Sequence, residues 1–438
     1  MEIFIVFAGL TATGLIAYGF QIWAIRATLK NKIHDSGFMI QDKENHVSRI
    51  LHRESAWFPP VSVLKPLKGL DDNLFDNLES ICLQDYPAYE IIFSLQDHND
   101  PAYKVAEKVK EKYPDKDISI IIERCNAGLN PKVNNLIPAY KVAKYEYILI
   151  SDSNVMVEKD YLRDIAAHME DPEVGLVSNM IKGTGGRTFG AIFENLHLNS
   201  FIMGSVCLLD KFLRMPCVVG KSMLMRKNDL DAIGGFRAVK DVLAEDYVIG
   251  KKMHKMGKKV ILSKHIIRNV NEYWGIRRFL NRHTRWGKLR WKIGGFRYVS
   301  ELIGNPVFMS FLPMIVCELS RITVSFALLT SSVKILGDLY IVRIINGQND
   351  NQSNEPSNPF PLPNNSYLLP LNPLWYLLLP VKDLLIGLIW FIPLLSNTVV
   401  WRGNRYIIGK DSLLSSCPET GIWSWRYRFL DAIRTRFA

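Results

Sequence analysis

Three acidic positions and one basic–aromatic cluster carry most of the chemistry legible in this 438-residue sequence. The apolar run Tyr147-Ile148-Leu149-Ile150 ends in Ser151-Asp152-Ser153-Asn154, so a carboxylate among small polar residues follows a stretch of strand formers. A lone Asp at the carboxyl end of a strand, with room around it, is placed to hold a divalent ion against a diphosphate; the same residue types also cap helices. Ala244-Glu245-Asp246-Tyr247 sets two carboxylates at the start of a helix. There they complement the helix dipole, and one beside a crevice serves as a general base. Arg282-His283-Thr284-Arg285-Trp286 puts Arg282, Arg285 and Trp286 on one helical face. Guanidinium groups in that pattern clamp diphosphate oxygens, and the indole covers a ring or a lipid chain; a basic interfacial helix has the same composition.

Hydrophobic patterning supplies the elements that must position these groups. Val61-Ser62-Val63-Leu64, Tyr89 to Leu95, Ile118 to Ile122 and Tyr147 to Ile150 read as strands. Helices between them start at Asp71, Pro101 and Pro131. Strands alternating with helices predict an α/β fold with a mainly parallel, Rossmann-like sheet. Right-handed crossovers then bring the strand ends at Lys65, Asp97 and Asp152 to one edge. Further along, Val174 to Ser178 and Val218 to Met225 read as strands, with Gly220 allowing close approach to a ligand. Gly183 to Gly190 is glycine-rich without the Gly-Lys-Ser/Thr ending of a P-loop, and reads as a flexible lid or acceptor-entry loop. Phe189 to Phe212 is apolar and helix-like, suited either to a core or to contact with a membrane.

The net charge of +11 gathers beside apolar segments and in the last stretch. That distribution suits a membrane surface and an anionic small substrate, and excludes the basic, aromatic-interleaved pattern of a nucleic-acid reader. The six cysteines show no C-x-x-C spacing, which excludes a zinc site and a disulfide framework and leaves inert thiols in a reducing compartment. Ile3 to Ile25 carries no charge and is followed by Arg26, Lys30 and Lys32, the pattern of an uncleaved anchor whose following residues face the cytosol. Residues 302–320, broken by Pro306, Pro313 and Glu318, read as re-entrant or surface-lying, and Ile322 to Val342 and Leu374 to Trp401 as two C-terminal spans. The resulting organisation is an anchor (1–26), a connector (27–57), a catalytic domain (58–300), a membrane region (301–401) holding an Asn-rich loop (345–372), and a basic cytosolic tail (402–438).

Asp97, Asp152, Asp246 and Arg282-x-x-Arg285-Trp286 stand in the order of the D, D, D, (Q/R)-x-x-R-W pattern of inverting GT-A glycosyltransferases. Gln96-Asp97-His98-Asn99-Asp100-Pro101, Asn130-Pro131-Lys132-Val133-Asn134-Asn135-Leu136, Leu243-Ala244-Glu245-Asp246-Tyr247 and Trp401-Arg402-Gly403-Asn404-Arg405-Tyr406 add local strings. With them the chain resembles the ceramide glucosyltransferases and their bacterial hopanoid-pathway relatives. The resemblance implies a GT-A domain on the cytosolic face of a bacterial inner membrane or a eukaryotic Golgi or ER membrane. It implies a UDP-sugar donor, a membrane lipid acceptor and no nucleic acid. By the same resemblance Asp97, with Lys65 and Lys132, contacts the nucleotide; Asp152 holds Mg²⁺ or Mn²⁺; Asp246 is the base; and Arg282, Arg285 and Trp286 bind the diphosphate and shape the acceptor entrance. Cys217 matches a cysteine near the donor site of the animal enzymes. The expected reaction is transfer of one glucose to ceramide with inversion. The alternative is hopanoid-type N-acetylglucosaminyl or other lipid transfer, because segment 183–213 departs from the animal enzymes. Arg282 at the head of its motif and the small number of spans disfavour a processive polysaccharide synthase, and the intact Asp97, Asp152 and Asp246 disfavour an inactive scaffold.

Overall fold

The structure, a computed structural model, describes residues 2–30, 57–213, 217–350, 371–401 and 404–417. Eight strands form one sheet: β1 (Val61–Pro66), β2 (Tyr89–Leu95), β3 (Ile118–Ile122), β4 (Tyr147–Ser151), β5 (Val155–Met156), β6 (Val174–Thr184), β7 (Ser222–Arg226) and β8 (Lys259–Val270), in the order β3-β2-β1-β4-β7-β6-β8-β5. β1 pairs in parallel with β2 and β4, and β2 with β3, so the ends of β1, β2 and β4 share one edge as the patterning predicts. β7 then runs antiparallel between β4 and β6, which makes the second half of the sheet mixed. The parallel strands are apolar without alternation because both faces are covered. Val63, Phe93 and Leu149 meet the helices Leu74–Cys82, Pro101–Lys112 and Tyr161–Ala167 on one side. Leu64, Ile92 and Ile150 meet Pro131–Val142 and Glu245–Lys255 on the other.

β8 has no counterpart in the patterning. Its register against β6 shifts between the pairs Asn179–Ser263 and Met180–Ile266, leaving Lys264 and His265 as extra residues that break the apolar alternation. The expected lid is also corrected. Gly183 and Thr184 belong to β6, Phe189 opens a helix, and the short link between is tied by the Arg187–Glu272 ion pair and by Thr188 Oγ1 donating to the Trp274 carbonyl at 2.6 Å. A side chain at Gly190 would collide with the Gly275 and Trp274 backbone, so that glycine serves close packing rather than mobility.

Among the described residues three helices are long and apolar enough to cross a membrane: Glu2–Lys30, Phe189–Phe212 and Pro373–Leu395. The first and third match expected spans, although the third ends sooner, because Thr398–Trp401 is a strand. Ile322 to Val342 does lie in one long helix, Arg321–Asp350, but that helix is not among the three. Thr330, Lys334 and Asp338 interrupt its apolar face and are buried against neighbouring helices. The stretch 302–320, expected to be re-entrant or surface-lying, holds the helix Pro306–Val316, which is bent by 70° from the preceding helical segment Ile276–Ile303. Beyond the third helix, Thr398–Trp401, Asn404–Ile408 and Leu414–Ser416 form an antiparallel sheet that carries described residues of the basic tail. Arg402, most of the connector and most of the Asn-rich loop lie outside the described residues.

Inside the helical region Lys334 Nζ reaches both Asp338 oxygens at 2.7 Å and Ser200 Oγ at 3.0 Å, and Tyr18 Oη donates to Asp338 at 2.5 Å. This buried pair ties the N-terminal helix to Arg321–Asp350. Asp338→Ala, which strands the ammonium, is expected to destabilise the protein by about 3–5 kcal/mol, whereas the double change Lys334→Met/Asp338→Leu costs far less. Thermal unfolding in detergent, run side by side on both variants, checks this; equal losses would contradict it.

Candidate active site

Asn130 caps the helix Pro131–Val142, its side-chain oxygen accepting from the Lys132 and Val133 N–H groups, and Pro131 occupies the first turn. Its amide nitrogen donates to the Val242 carbonyl at 2.7 Å and to Glu245 at 3.1 Å, joining this helix start to that of Glu245–Lys255. The two helix starts and the end of β4 thereby meet. Lys132 Nζ lies 2.8 Å from Asp152 Oδ1, 2.9 Å from Glu245 Oε1 and 2.7 Å from the Gly220 carbonyl oxygen. Lys221 Nζ bridges Asp152 Oδ2 at 3.1 Å and Asn154 Oδ1 at 2.6 Å. Burial works against the Asp152 charge, but the two ammonium groups outweigh it and hold the carboxyl well below its usual range. Burial likewise opposes the Lys132 charge, and Asp152 with Glu245 overcomes it.

These groups line a cavity of about 1150 Å³ that runs from Pro66, Asp71 and Asp152 to Leu289, Ile293 and Trp401. Single ligand sites are typically about 300–1,000 Å³, so the space suits a nucleotide sugar together with part of a second substrate. Lys132, Asp152, Asp246, Arg282, Arg285 and Trp286 all line it. Lys65 does not; almost fully buried, it lies beneath the floor and donates to Ser151 Oγ at 3.1 Å and to the Asp152 carbonyl at 3.2 Å. Burial lowers it to about 8, against the pull of Asp152. Asp97 stands apart: exposed just beyond β2, it accepts from the Asn99 N–H at 2.9 Å and is not in the cavity wall.

Asp246 sits in the first turn of its helix. Oδ1 accepts from the Tyr247 N–H and Oδ2 from the Gly220 N–H, both at 2.8 Å. Burial pushes its pKa up and the adjacent Glu245 charge adds to the rise, to about 6, while Lys132 and the two N–H groups pull the other way. A carboxyl tuned toward neutral pH inside a cleft is suited to proton transfer. Arg282 has its guanidinium 5.1 Å from the Trp274 ring centre and 4.3 Å from that of Trp286. Its Nε edge faces the buried Glu194 at 3.3 Å, an electrostatic contact too poorly aligned to be a hydrogen bond. Arg285 packs 5.9 Å from the Trp401 ring centre. Cys217 also lines the cavity, and burial raises its thiol to about 12, so it is an inert wall.

Lys221, Glu245, Glu194, Trp274 and Asp71 are cavity or supporting groups that spacing did not assign. Glu245 was adjacent to an assigned residue, while Lys221 carried only the signal of a lone charge after Val218-Val219-Gly220. A divalent cation at Asp152 would have to take the place of the Lys221 ammonium, because both carboxylate oxygens face ammonium groups. One carboxylate oxygen and the Asn154 amide oxygen already converge on one ammonium, and Asp71, accepting from Ser153 Oγ at 2.6 Å, adds a carboxylate nearby. Such hard oxygens suit Mg²⁺ or Mn²⁺ completed by phosphate and water. Among the described residues the one cluster of metal-type side chains, Asp160, Asp164 and His265, lies outside the cavity wall.

A methyl group on Gly220 would come within 2.5 Å of Asp246 Oδ2. Gly220→Ala therefore displaces the carboxylate, and with Asp246 as the expected base turnover should fall by about 10²-fold, the scale of an ångström-sized misplacement of a reacting group. Steady-state kinetics alongside an unchanged melting temperature checks this; wild-type turnover would show that Asp246 is not held where it acts.

The family model described as Glycosyl transferase family 21 matches residues 14–414. Two similar relatives are ceramide glucosyltransferase 3 of Caenorhabditis elegans, 34% identical over 54% of this chain and 52% of that one, and ceramide glucosyltransferase 1 of the same species, 35% identical over 53% and 50%. The chain thus spans about half the length of the curated relatives it matches. A solved mannosyltransferase from Pyrobaculum calidifontis, in complex with GDP-Man and Mn²⁺, aligns with 88% of this chain and 97% of its own at 16% identity and a TM-score of 0.45. With a match extending over most of its length, the chain belongs to glycosyl transferase family 21.

Proposed function

We propose that this protein is a membrane-bound, inverting glycosyltransferase that moves one glucose from UDP-glucose to a hydroxyl of ceramide. The observation that carries the reading is Asp246. It is a buried carboxyl raised to about 6, held by two N–H groups, in the same cavity as the cationic groups around Asp152. In this reading Lys221, Arg282 and Arg285 take the diphosphate oxygens, Lys132 holds Asp152 and Glu245 in place beside the nucleotide, and Asp97 contacts the nucleotide from beyond β2. Lys65 fixes the Asp152 backbone from below. Trp274 and Trp286 keep the Arg282 guanidinium flat and oriented, so little reorganisation is needed as negative charge builds on the leaving UDP. Asp246 accepts the hydroxyl proton of the acceptor as its oxygen attacks the anomeric carbon from the face opposite UDP, which inverts that centre. Asp152 would hold Mg²⁺ or Mn²⁺ in the place of the Lys221 ammonium, and the ion would supply further positive charge against the diphosphate.

Ceramide as acceptor is supported by the names of the worm relatives and by the apolar reach of the cavity toward Ile202, Val206 and Ile293. The basic residues at the end of the N-terminal helix, Arg26 and Lys30, support a catalytic domain on the cytosolic side of its membrane. The test offers UDP-glucose and UDP-N-acetylglucosamine against ceramide, diacylglycerol and a hopanoid polyol, with product lipids read by mass spectrometry. Hexosylceramide is expected. An aminosugar-hopanoid product would transfer the assignment to the alternative acceptor, and no lipid product with any pair would overturn the reading.

The base assignment has its own signature. Asp246 must be deprotonated to act, so turnover is expected to rise with pH through about 6 and level off above it. Asp246→Asn should lose about 10²–10⁴-fold in turnover while still binding UDP. Because Glu245 raises the Asp246 pKa, Glu245→Gln should move the acid limb to lower pH. A limb that stays put or moves upward in pH–rate profiles would contradict the pairing.

A further inference from the structure

A second, smaller cavity of about 40 Å³ lies against the helix Ile276–Gly294, the helix Leu379–Ile389 and the π-helical turn Leu198–Ile202. At about 10–15 Å³ per water it has room for about three or four, the bulk of a small polar group. Its walls include His197, His283 and Asp383, each more than nine-tenths buried. Among the described residues neither ring nitrogen of His197 has a hydrogen-bond partner, and the same holds for His283 Nδ1 and Asp383 Oδ2. Buried polar atoms are nearly always satisfied by protein, water or a ligand, and here four of them occur in the residues of one space.

The charges around this space cancel. Lys382 pairs with Asp383 at 2.6 Å, Arg290 with Glu301 at 2.5 Å and Lys334 with Asp338 at 2.7 Å. No surplus positive charge is left for a phosphate or carboxylate headgroup. What the cavity offers is neutral hydrogen bonding: a neutral imidazole gives one donor and one acceptor, and the carboxylate oxygen accepts. Phe201, Ile386, Ile389 and Trp390 make a further part of the wall apolar, and the cavity stands among the helices apolar enough for a membrane. Arg290, Tyr298 and Glu301 line both this cavity and the large one, so the two adjoin.

We propose that this cavity is a lipid subsite that takes the neutral, hydrogen-bonding head of the acceptor, an amide or hydroxyl group carried on alkyl chains, and holds it beside the catalytic cavity. The inference rests on the lipid-acceptor reading above. It assigns His197 and Asp383 to the acceptor and not to the donor. It also selects against lipids whose head carries a phosphate.

The test uses the full chain in lipid nanodiscs and a ceramide analogue with a photoreactive diazirine next to its amide, with adducts mapped by mass spectrometry. Adducts are expected on the segments containing Phe201 and Ile386 to Trp390, diminished by excess ceramide and not by phosphatidic acid. In parallel, His197→Phe removes the hydrogen bonds while keeping a ring. The half-saturating ceramide concentration should rise about tenfold, the effect of one lost hydrogen bond, with that for UDP-glucose unchanged. Adducts confined to other segments, equal competition by phosphatidic acid, or a variant that shifts the UDP-glucose constant as much as the ceramide constant would overturn the subsite. If the wild-type protein transfers sugar to no lipid, the glycosyltransferase reading fails, and the adduct map alone still decides whether the cavity binds a neutral lipid head.

Discussion

The ammonium group of Lys132 is the contact on which the site's geometry depends. It joins Asp152 at the end of β4, Glu245 at the start of its helix and the Gly220 carbonyl before β7. An isolated buried ammonium would be strongly penalised, so the residues that surround it are under a common constraint: moving any one leaves charge unpaired in a poorly hydrated place. Gly220 is held from both sides, its carbonyl by Lys132 and its N–H by Asp246. The acid that holds cationic charge and the acid raised toward neutrality are thereby fixed relative to each other through a single glycine.

The same pairing explains why neighbouring carboxylates behave differently. Asp152 has two ammonium groups on its two oxygens and stays ionised despite burial. Asp246 has only N–H groups and sits beside the Glu245 charge, so burial and repulsion raise it. Separation of two acids by environment is a common way of obtaining one electrostatic group and one proton acceptor in a single pocket.

Much of this arrangement was legible before the fold was known. Strand patterning located β1 to β4, and the parallel pairings place Lys65 and Asp152 at one edge because a strand and its crossover leave little freedom. Asp97 reached the same edge but not the cavity wall, since the turn after Leu95 directs it outward to bond Asn99. What the sequence concealed is set by long-range pairing. Lys221 and Glu194 are single charges whose meaning depends on residues 60 or more positions away, and β8 is masked by two extra residues at its bulge. Local patterns record an element's own burial, and carry little about which distant charge it meets.

Glu194 shows how far that distant pairing extends. It lies in a helix apolar enough to cross a membrane, yet it is fully buried against Arg282 Nε and, at 2.8 Å, His283 Nε2. His283 in turn contacts the ring of His197 at 4.4 Å between centres. Arg282 belongs to the large cavity, and His197 and His283 to the small one. A carboxylate buried in such a helix is costly unless its partners are fixed, so the Phe189–Phe212 and Ile276–Gly294 helices are matched through Glu194 rather than packed by apolar contact alone. The guanidinium in the large cavity and the unpaired nitrogens of the small one are therefore positioned by one buried acid. A change in the packing of the helical region reaches the cationic end of the site through a side chain that lines neither cavity but contacts a wall residue of each.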